Sequence, residues 1–411
     1  MTQLAKLQAD YEAWQAKKLG LDMSRGKPGA DQCALSGDLL DARWVTPAKA
    51  ENGFDCRNYG ILDGIPEAKR LFGELLEVPA GQVIVCGNAS LTLMYDYVAQ
   101  CMLQGAGAEP WMKQSLDAGQ VKFLCPVPGY DRHFGLLERL GIGMVNVPML
   151  ADGPDMGLVA EYVKDPLVKG LICVPKYSNP EGKTYSEAVV RAFAALKPAA
   201  PDFRVIWDNA YLVHDLYDTT DPLLNILAAA KEAGTEDHFI VVSSFSKVTF
   251  PGAGVAAIAA SPANIAAIKA RMSFQTIGHD KLNQLRHARF FGNLEGIKQH
   301  MKMHAEILRP KFEVVLEILA RDLAGLASWT APRGGYFISL DLPSGCAKRT
   351  HLLLKEAGVT LTPAGATFPY GRDPEDRNLR IAPTFPPIEE LRQAAELLTL
   401  CARIAILEKA A

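Results

Sequence analysis

The stretch FIVVSSFSKVTFPGAGVAAIAA, residues 239–260, places one lysine between two apolar runs. Runs of this length and composition predict buried strands, and the turn between them carries Lys247. An unpaired ammonium beside buried strands is costly, and burial lowers the pKa of a lysine amine until the amine becomes a usable nucleophile. The alternative is a lysine whose stem lies along the protein while its amine reaches solvent.

The same alternation of short apolar runs and longer helical patterns continues on both sides of this stretch. Helical patterns separate most of the apolar runs, which cover residues 83–87, 121–127, 169–175, 203–209, 239–245 and 255–261. Strands separated by helices predict an α/β fold in which helices cover both faces of a mostly parallel sheet.

The pattern changes near residue 290. A long helical pattern with one internal proline leads into a strand-rich stretch, a further helix and strand, and a final helix from Pro387, which predicts a smaller α+β domain. We therefore expect a large domain over residues 46–290 and a small domain built from residues 1–45 and 291–411.

The composition is that of an ordinary soluble globular protein, with 49% apolar and 22% charged residues among 411. A net charge of −3 provides no broad basic surface for nucleic acid or an anionic membrane. Eight cysteines form no C-x-x-C pair, so neither a disulfide framework nor a zinc knuckle is indicated. The N-terminal segment lacks an apolar signal core and is typical of a surface helix. We expect a cytoplasmic enzyme or binding protein.

Polar residues follow the predicted strands, at the edge of the sheet where open α/β folds bind ligands. The small residues of 87–90 stand directly before a helix, where backbone N–H groups can bind an anion. The other residues at strand ends are Tyr130, Asn179, Asp208, Tyr211, Ser244, Ser246 and Lys247. Taken singly, each has an ordinary alternative; an asparagine before proline, for example, is a common turn. Together they predict a site with an anion cradle, an amide, a carboxylate, aromatic rings and an amine.

The ordered segments SNPEG (178–182), WDNAY (207–211), SSFSK (243–247) and LRIAP (379–383) resemble those of the class I aminotransferases, which are fold type I enzymes of pyridoxal 5'-phosphate (PLP). The segment NYGILDGIPEAKRLF (58–72) extends the resemblance toward the N-terminus, and MSRGKPG (23–29), GNASLTLMYD (87–96) and SKVTFPGAGV (246–255) are similar to aspartate aminotransferases of subgroup Ic. The resemblance implies a large domain with a seven-stranded type of sheet. It also implies ping-pong transfer of an amino group from L-aspartate or L-glutamate to a 2-oxo acid such as 2-oxoglutarate.

The resemblance assigns roles around the cofactor ring. Lys247 would carry PLP as a Schiff base and act as the base that moves the substrate proton. Asp208 would pair with the pyridinium nitrogen. Tyr211 and Asn179 would hydrogen-bond the phenolate oxygen of the ring, and Tyr130 would stack on it.

The resemblance also assigns the phosphate and carboxylate contacts. The residues implied at the phosphate are Asn88, Ala89, Ser90 and Ser244. Tyr59 would reach the cofactor phosphate of the neighbouring subunit, which implies a homodimer. Arg380 would bind the substrate α-carboxylate with both ends of its guanidinium, together with Asn179.

One position departs from the family pattern. Many class I enzymes carry a phosphate-binding arginine eight residues after the lysine, where this chain has Val255. Either Arg25 or Lys27 replaces it, or backbone amides and hydroxyls suffice. Arg25 is also our candidate for the second carboxylate of an acidic substrate. Arg333 and Lys281 are weaker candidates, each with a solvated surface charge as the alternative.

Other classes of function have less support. SFSK satisfies S-x-x-K of penicillin-binding proteins, but S-D-N and K-T-G do not occur. His300 and His304 have the i, i+4 spacing of metal ligands, yet without H-E-x-x-H or an evident third ligand a solvated helix face is expected. No G-x-G-x-x-G follows a predicted strand, so a nicotinamide enzyme is not indicated.

Three further alternatives stay open on the aminotransferase scaffold. They are an aminotransferase with another preference (aromatic amino acids, alanine or 2-aminoadipate), a PLP β-lyase or decarboxylase, and a non-catalytic protein. A transcription factor of this type would need an N-terminal helix-turn-helix, and the aminotransferase-like segment begins near residue 21.

Overall fold

The computed structural model describes residues 3–410, so residues 1, 2 and 411 of the predicted small domain lie outside the described residues. The strands are β1 (Leu21–Asp22), β2 (Val83–Val85), β3 (Lys122–Val127), β4 (Gly143–Pro148), β5 (Val168–Cys173), β6 (Arg204–Asp208), β7 (Phe239–Ser244), β8 (Ala256–Ala260), β9 (Ser328–Trp329), β10 (Ile338–Asp341), β11 (Val359–Thr360) and β12 (Asn378–Ile381). The α-helices are α1 (Gln3–Gln15), α2 (Ala30–Leu35), α3 (Pro66–Leu76), α4 (Ser90–Gln104), α5 (Trp111–Ala118), α6 (Asp131–Arg139), α7 (Met156–Tyr162), α8 (Glu187–Ala194), α9 (Ile226–Ala233), α10 (Pro262–Met272), α11 (Lys281–Phe291), α12 (Leu294–Leu323), α13 (Ala347–Glu356) and α14 (Ile388–Ala410). Short 3₁₀ helices span Gly37–Leu40, Ala42–Val45, Ala80–Gln82, Glu236–His238 and Pro369–Gly371.

A seven-stranded sheet forms the centre of the fold, in the order β2-β8-β7-β6-β5-β3-β4. β8 runs antiparallel to both of its neighbours, β2 and β7, while the other pairs in this sheet are parallel, so the predicted mostly parallel sheet is confirmed. Each of the six predicted apolar runs contains a strand. The sequence did not predict β4, because this edge strand is only partly buried and lacks a continuous apolar run.

Alternate residues of the central strands enter two separate apolar layers. On β6, Val205 and Trp207 pack in one layer while Ile206 packs in the other, and on β7 Val241 and Ile240 divide in the same way. Because side chains alternate between the faces of a strand, both faces of this sheet are covered. The strands therefore read as continuous apolar runs in the sequence.

A third apolar cluster surrounds the three-stranded antiparallel sheet β12-β10-β9. It contains side chains of α13 and α14 together with Leu7 and Tyr11 of α1, and β1 pairs in parallel with β11. The helix α12 contacts two clusters, since Ile297 lies in the large one and Phe312 in the third. The division at residues 45/46 and 290/291 therefore stays a proposal.

Two sequence features lie in α12, an internal proline and a pair of histidines. Pro310 lies inside this helix without dividing it, since α12 is continuous from Leu294 to Leu323. The expected solvated face at His300 and His304 is wrong: their exposed fractions are 4% and 0%. Among residues 3–410 there is no group of three or more potential ligands arranged to hold a metal ion. No helix in the same range combines the length and the apolar character needed to cross a bilayer.

These histidines belong to a buried hydrogen-bond network that connects three parts of the chain. The Oε1 atom of Gln32 accepts from the N–H of Gly29 at 3.1 Å, so the amide turns its Nε2 toward Nδ1 of His304 at 3.0 Å. Because Nε2 of an amide only donates, His304 accepts at Nδ1 and, when neutral, carries its proton on Nε2. That atom lies 3.2 Å from Nε2 of His300, which lies 3.0 Å from the carbonyl oxygen of Val248.

The same glutamine also reaches the residue that precedes Val248. Its Nε2 donates to the hydroxyl of Tyr336 at 3.0 Å, and that hydroxyl lies 3.4 Å from the carbonyl oxygen of Lys247. The network therefore ties the segment around α2 and the helix α12 to the two consecutive peptide units that follow Lys247. An i, i+4 pair that looks like a solvated face in the sequence is buried because the N-terminal segment covers it.

The folded protein should become less stable as the pH decreases, because His304 is buried in its neutral form. Burial lowers its pKa from the usual 6.5 to about 4, with His300 acting in the same direction. Between pH 6.5 and pH 4 the imidazole of His304 is protonated in the unfolded chain but neutral in the folded one. The free energy of unfolding that the neutral ring contributes above pH 6.5 is therefore lost as the pH falls, by up to about 3 kcal/mol. We expect His304→Gln to have a lower unfolding temperature than the parent at neutral pH.

Over the interval from neutral pH to pH 5, the unfolding temperature of His304→Gln should decrease less than that of the parent. His351→Gln, which changes a partly exposed histidine of α13, is the control and should retain the parent's pH dependence. Thermal unfolding followed by circular dichroism makes the comparison. An unchanged pH dependence in His304→Gln would contradict the neutral, buried state of this ring.

Candidate active site

The polar residues that follow the predicted strands meet at one edge of the central sheet. The strands β3, β5, β6 and β7 are parallel, so their carboxyl ends lie at the same edge. Asp208 ends β6, Ser244 ends β7, and Tyr130 and Asn179 follow β3 and β5. Arg380 comes from β12 of the smaller sheet and bonds to Asn179 across the gap. The site is therefore formed between the two sheets.

Lys247 occupies the turn between β7 and β8, and its amine lies inside the protein. The Nζ atom is 5.2 Å from the centroid of the Tyr211 ring. Burial lowers the pKa of this amine; Asp208 opposes the shift and Arg380 adds to it. A lowered pKa leaves a larger fraction of the amine unprotonated at neutral pH, which is the form that attacks carbonyl carbon.

Asp208 is held by a histidine that the sequence reasoning did not single out. Oδ2 of Asp208 lies 3.1 Å from Nε2 of His133, and both side chains are buried. The Oδ1 atom of Asp208 has no hydrogen-bond partner within residues 3–410. A carboxylate oxygen left unpaired in a buried place is costly unless a ligand completes it. A signal for His133 existed: it stands three residues after Tyr130, on the same face of α6.

Two phenols belong to the same site, Tyr211 beside the amine of Lys247 and Tyr130 beside His133. Burial raises the pKa of Tyr130 to about 12, and the charges of Asp131 and Asp208 add to the shift. Burial also raises the pKa of Tyr211, which is 3% exposed. Both hydroxyls are therefore protonated at neutral pH and can donate hydrogen bonds. The Tyr130 ring also contacts His133 edge-on, with centroids 4.9 Å apart.

Arg380 lies in a polar pocket with one face of its guanidinium on an aromatic ring. Nη1 donates to Asp131 at 2.8 Å and to Asn179 at 3.1 Å, and Nη2 donates to Thr362 at 2.9 Å. Its central carbon is 4.8 Å from the centroid of the Phe337 ring. The fork is thus held in one orientation, as recognition of a carboxylate by both ends requires.

The predicted anion cradle borders the same turn as Lys247. Ser246 donates to the carbonyl of Asn88 at 2.6 Å, and Ser244 donates to Ser246 at 3.2 Å. Ser90 is the first residue of α4 and Ala89 its N-cap, so the N–H groups of the first turn are available there. Val255 is buried in the large apolar cluster, and its carbonyl accepts from the N–H of Phe245.

The candidate cations differ in their surroundings. Arg25 is exposed, next to Ser24, whose carbonyl accepts from the same Thr362 hydroxyl that bonds to Arg380. The amine of Lys27 lies 3.8 Å from the Phe385 ring centroid, which gives it an aromatic partner. The segment between Arg25 and Lys27 packs closely against Phe337, since a Cβ on Gly26 would collide with the ring of Phe337.

The remaining candidates lie elsewhere. Arg333 is half-exposed and pairs with Asp221 at 3.5 Å. Lys281 is 5% exposed, so the alternative of a solvated surface charge is wrong for this residue. Tyr59 is 78% exposed and contributes nothing to the site of its own chain that the described contacts record.

These donors and acceptors fit PLP. The unpaired Oδ1 of Asp208 suits the N–H of a pyridinium ring, and the amine of Lys247 suits an aldehyde carbon. The protonated hydroxyl of Tyr211 suits a phenolate oxygen, and the hydroxyl-lined start of α4 suits a phosphate.

Comparisons with known proteins agree with this arrangement. The family model described as "Aspartate amino-transferase" matches residues 1–411. A putative aminotransferase of Mycolicibacterium smegmatis is 46% identical over 98% of this chain and 94% of that protein. An aspartate aminotransferase of Corynebacterium glutamicum is 44% identical over 97% of this chain and 92% of its own length.

A solved structure gives the same result for the fold. The crystal structure of an aspartate transaminase from Corynebacterium glutamicum superposes with a TM-score of 0.95 at 44% identity, covering 99% of this chain and 96% of that one. The predicted fold type I architecture and aminotransferase activity are confirmed. The chain belongs to the aspartate aminotransferase family and is an aminotransferase of class I.

Proposed function

We propose that this aminotransferase uses PLP, bound as a Schiff base on Lys247, to move the amino group of L-aspartate or L-glutamate to a 2-oxo acid such as 2-oxoglutarate. The observation that carries the proposal is the convergence of three groups at one sheet edge. They are the buried amine of Lys247, the unpaired oxygen of Asp208 and the oriented guanidinium of Arg380. The likeness to aspartate aminotransferases supports the choice of an acidic substrate.

The cofactor, when bound, supplies an electron sink for the carbanion formed as the substrate Cα loses its proton. Asp208 would keep a proton on the ring nitrogen, because a buried carboxylate favours a cation beside it, and His133 holds that carboxylate in place. Lys247 takes the Cα proton as the general base. Tyr211 and Asn179 would donate to the phenolate oxygen, and Tyr130 would stack against the ring.

Substrate and phosphate are bound by separate groups. Arg380 and Asn179 bind the α-carboxylate, which orients the Cα–H bond toward Lys247. Asn88, Ala89, Ser90 and Ser244 bind the phosphate. With Val255 in place of the usual arginine, backbone amides and hydroxyls take a larger share of the phosphate charge. Arg25, next to the Thr362–Arg380 contact, binds the side-chain carboxylate.

We further propose a homodimer in the cytoplasm, in which Tyr59 reaches the partner's phosphate. Tyr59 is 78% exposed, and the neighbouring loop carries two more exposed apolar side chains, Phe274 at 95% and Ile277 at 61%. Gly278 of that loop packs against the carbonyl of Gly60. Large apolar side chains grouped on a surface are typical of an interface.

Lys247→Ala should abolish the visible absorption band of the purified, PLP-incubated protein and nearly all turnover. The parent protein should show that band and lose it on addition of L-aspartate, as the amino group moves to the cofactor. Lys302→Ala, an exposed lysine of α12, is the control and should behave as the parent. Retained aminotransferase activity in Lys247→Ala would refute the assignment of this lysine.

Asp208→Asn should reduce kcat by at least about a hundredfold, because an amide cannot keep the ring nitrogen protonated by charge. Glutamate at the same position should recover part of the loss, since the charge returns. Steady-state kinetics with saturating PLP, combined with a titration of the visible band, separates weakened cofactor binding from impaired chemistry. Equal activity in the asparagine and parent proteins would remove Asp208 from the proposed role.

Arg25→Gln should raise KM for L-aspartate by about tenfold and leave KM for L-alanine unchanged, because only the former has a second carboxylate. A matched change at another exposed arginine, Arg43→Gln, should alter neither constant. An equal rise for both amino acids would place Arg25 at the α-carboxylate or in a structural role.

A further inference from the structure

An acidic residue with no role assigned by the sequence contacts the proposed carboxylate-binding arginine. Asp131 is the first residue of α6, directly after Tyr130. Its Oδ1 accepts from Nη1 of Arg380 at 2.8 Å, and the side chains are 30% and 6% exposed. A charge pair this close and this well covered from water interacts more strongly than one at the surface.

The hydrogen bonds of the guanidinium can be counted. A guanidinium has five N–H donors. Both donors on Nη1 are used, by Asp131 and Asn179, and one on Nη2 is used by Thr362. Nε is buried and has no partner within the described chain. A carboxylate arriving at Arg380 therefore finds Nε and the second donor of Nη2, or it replaces Asp131 on Nη1.

Both routes bring a second carboxylate to a cation that already has one. If the incoming carboxylate binds at Nε and Nη2, it shares one guanidinium with Asp131, and like charges repel strongly where water is excluded. If it takes the place of Asp131, the existing ion pair must first break. In either case the Asp131 charge opposes the binding of the carboxylate.

We propose that Asp131 is a built-in counter-ion of Arg380 that weakens the binding of substrate and product carboxylates. The inference rests on the proposed function, in which Arg380 binds the α-carboxylate. In the free site Asp131 balances the charge of Arg380, so this buried guanidinium has an anion beside it before the substrate arrives. After the reaction the Asp131 carboxylate competes with the product carboxylate for Arg380 and promotes release of the product.

The test measures the affinity of maleate, a dicarboxylate without an amino group, for the PLP-loaded protein by titration calorimetry. Asp131→Asn keeps the shape and one acceptor while removing the charge. We expect its Kd for maleate to be about tenfold lower than the parent value, because a like charge has been removed beside the ligand. KM for L-aspartate and 2-oxoglutarate should fall in parallel, and kcat should not rise.

Controls separate the charge effect from folding. Asp131→Ser, a second neutral residue with a hydroxyl in place of the carboxylate, should show the same gain in maleate affinity. Glu295→Gln removes a charge from the exposed first turn of α12 and should leave the Kd unchanged. An unchanged or higher Kd in both Asp131 variants, with unfolding temperatures near the parent's, overturns the proposal.

A double-mutant cycle distinguishes this inference from the assignment of Arg380 itself. Arg380→Gln should weaken maleate binding strongly, and adding Asp131→Asn to it should then change little. If Arg380→Gln leaves the Kd unaltered, Arg380 is not the carboxylate site and the proposed binding role fails. If Arg380→Gln weakens binding while Asp131→Asn has no effect in the parent background, only the counter-ion proposal fails.

Discussion

The carboxylate of Asp208 lies at the end of a strand that is covered by helices on both faces, with one oxygen on His133 and the other unpaired within the described residues. A buried, half-satisfied carboxylate is tolerated in a folded protein where a cation or a donor completes it. The other groups of the site lie around this carboxylate. Lys247 is placed on the neighbouring strand's turn, close enough for the Asp208 charge to raise its pKa against the effect of burial.

The parallel sheet provides the rigidity that this arrangement needs. Its central strands pack through alternate residues into two apolar layers, so the ends of β6 and β7 cannot shift independently. The network of Gln32, His300, His304 and Tyr336 adds a second constraint, on the carbonyl groups of residues 247 and 248. The backbone of the turn that carries Lys247 is thus held both by the sheet and by a segment from the N-terminal part of the chain.

Arg380 is positioned by a different part of the molecule. It comes from a small antiparallel sheet, yet its hydrogen bonds go to Asn179 and Asp131 at the edge of the large sheet. Carboxylate binding therefore depends on how the two sheets face each other. The same geometry provides Arg380 with a counter-ion, which links the affinity for substrates to the charge inside the site.

Most of the central strands and several site residues could be predicted from the sequence alone, because both leave a signature in neighbouring residues of the chain. Continuous apolar runs mark strands buried on both faces, and polar residues directly after those runs mark the carboxyl edge of the sheet. Asn179, Asp208, Tyr211 and Lys247 can therefore be grouped from their positions along the chain. The edge strand β4 was missed because half-exposed strands lose that signature.

Only the tertiary structure decided which distant groups meet. His133 on Asp208, Asp131 on Arg380 and the burial of His300 and His304 under the N-terminal segment all join residues that no local pattern connects. Local sequence determines the element and the face on which a residue lies, because the periods of helices and strands are fixed by backbone geometry. The partner of a buried polar group is set by the packing of whole elements, and for that reason it became visible only in the folded chain.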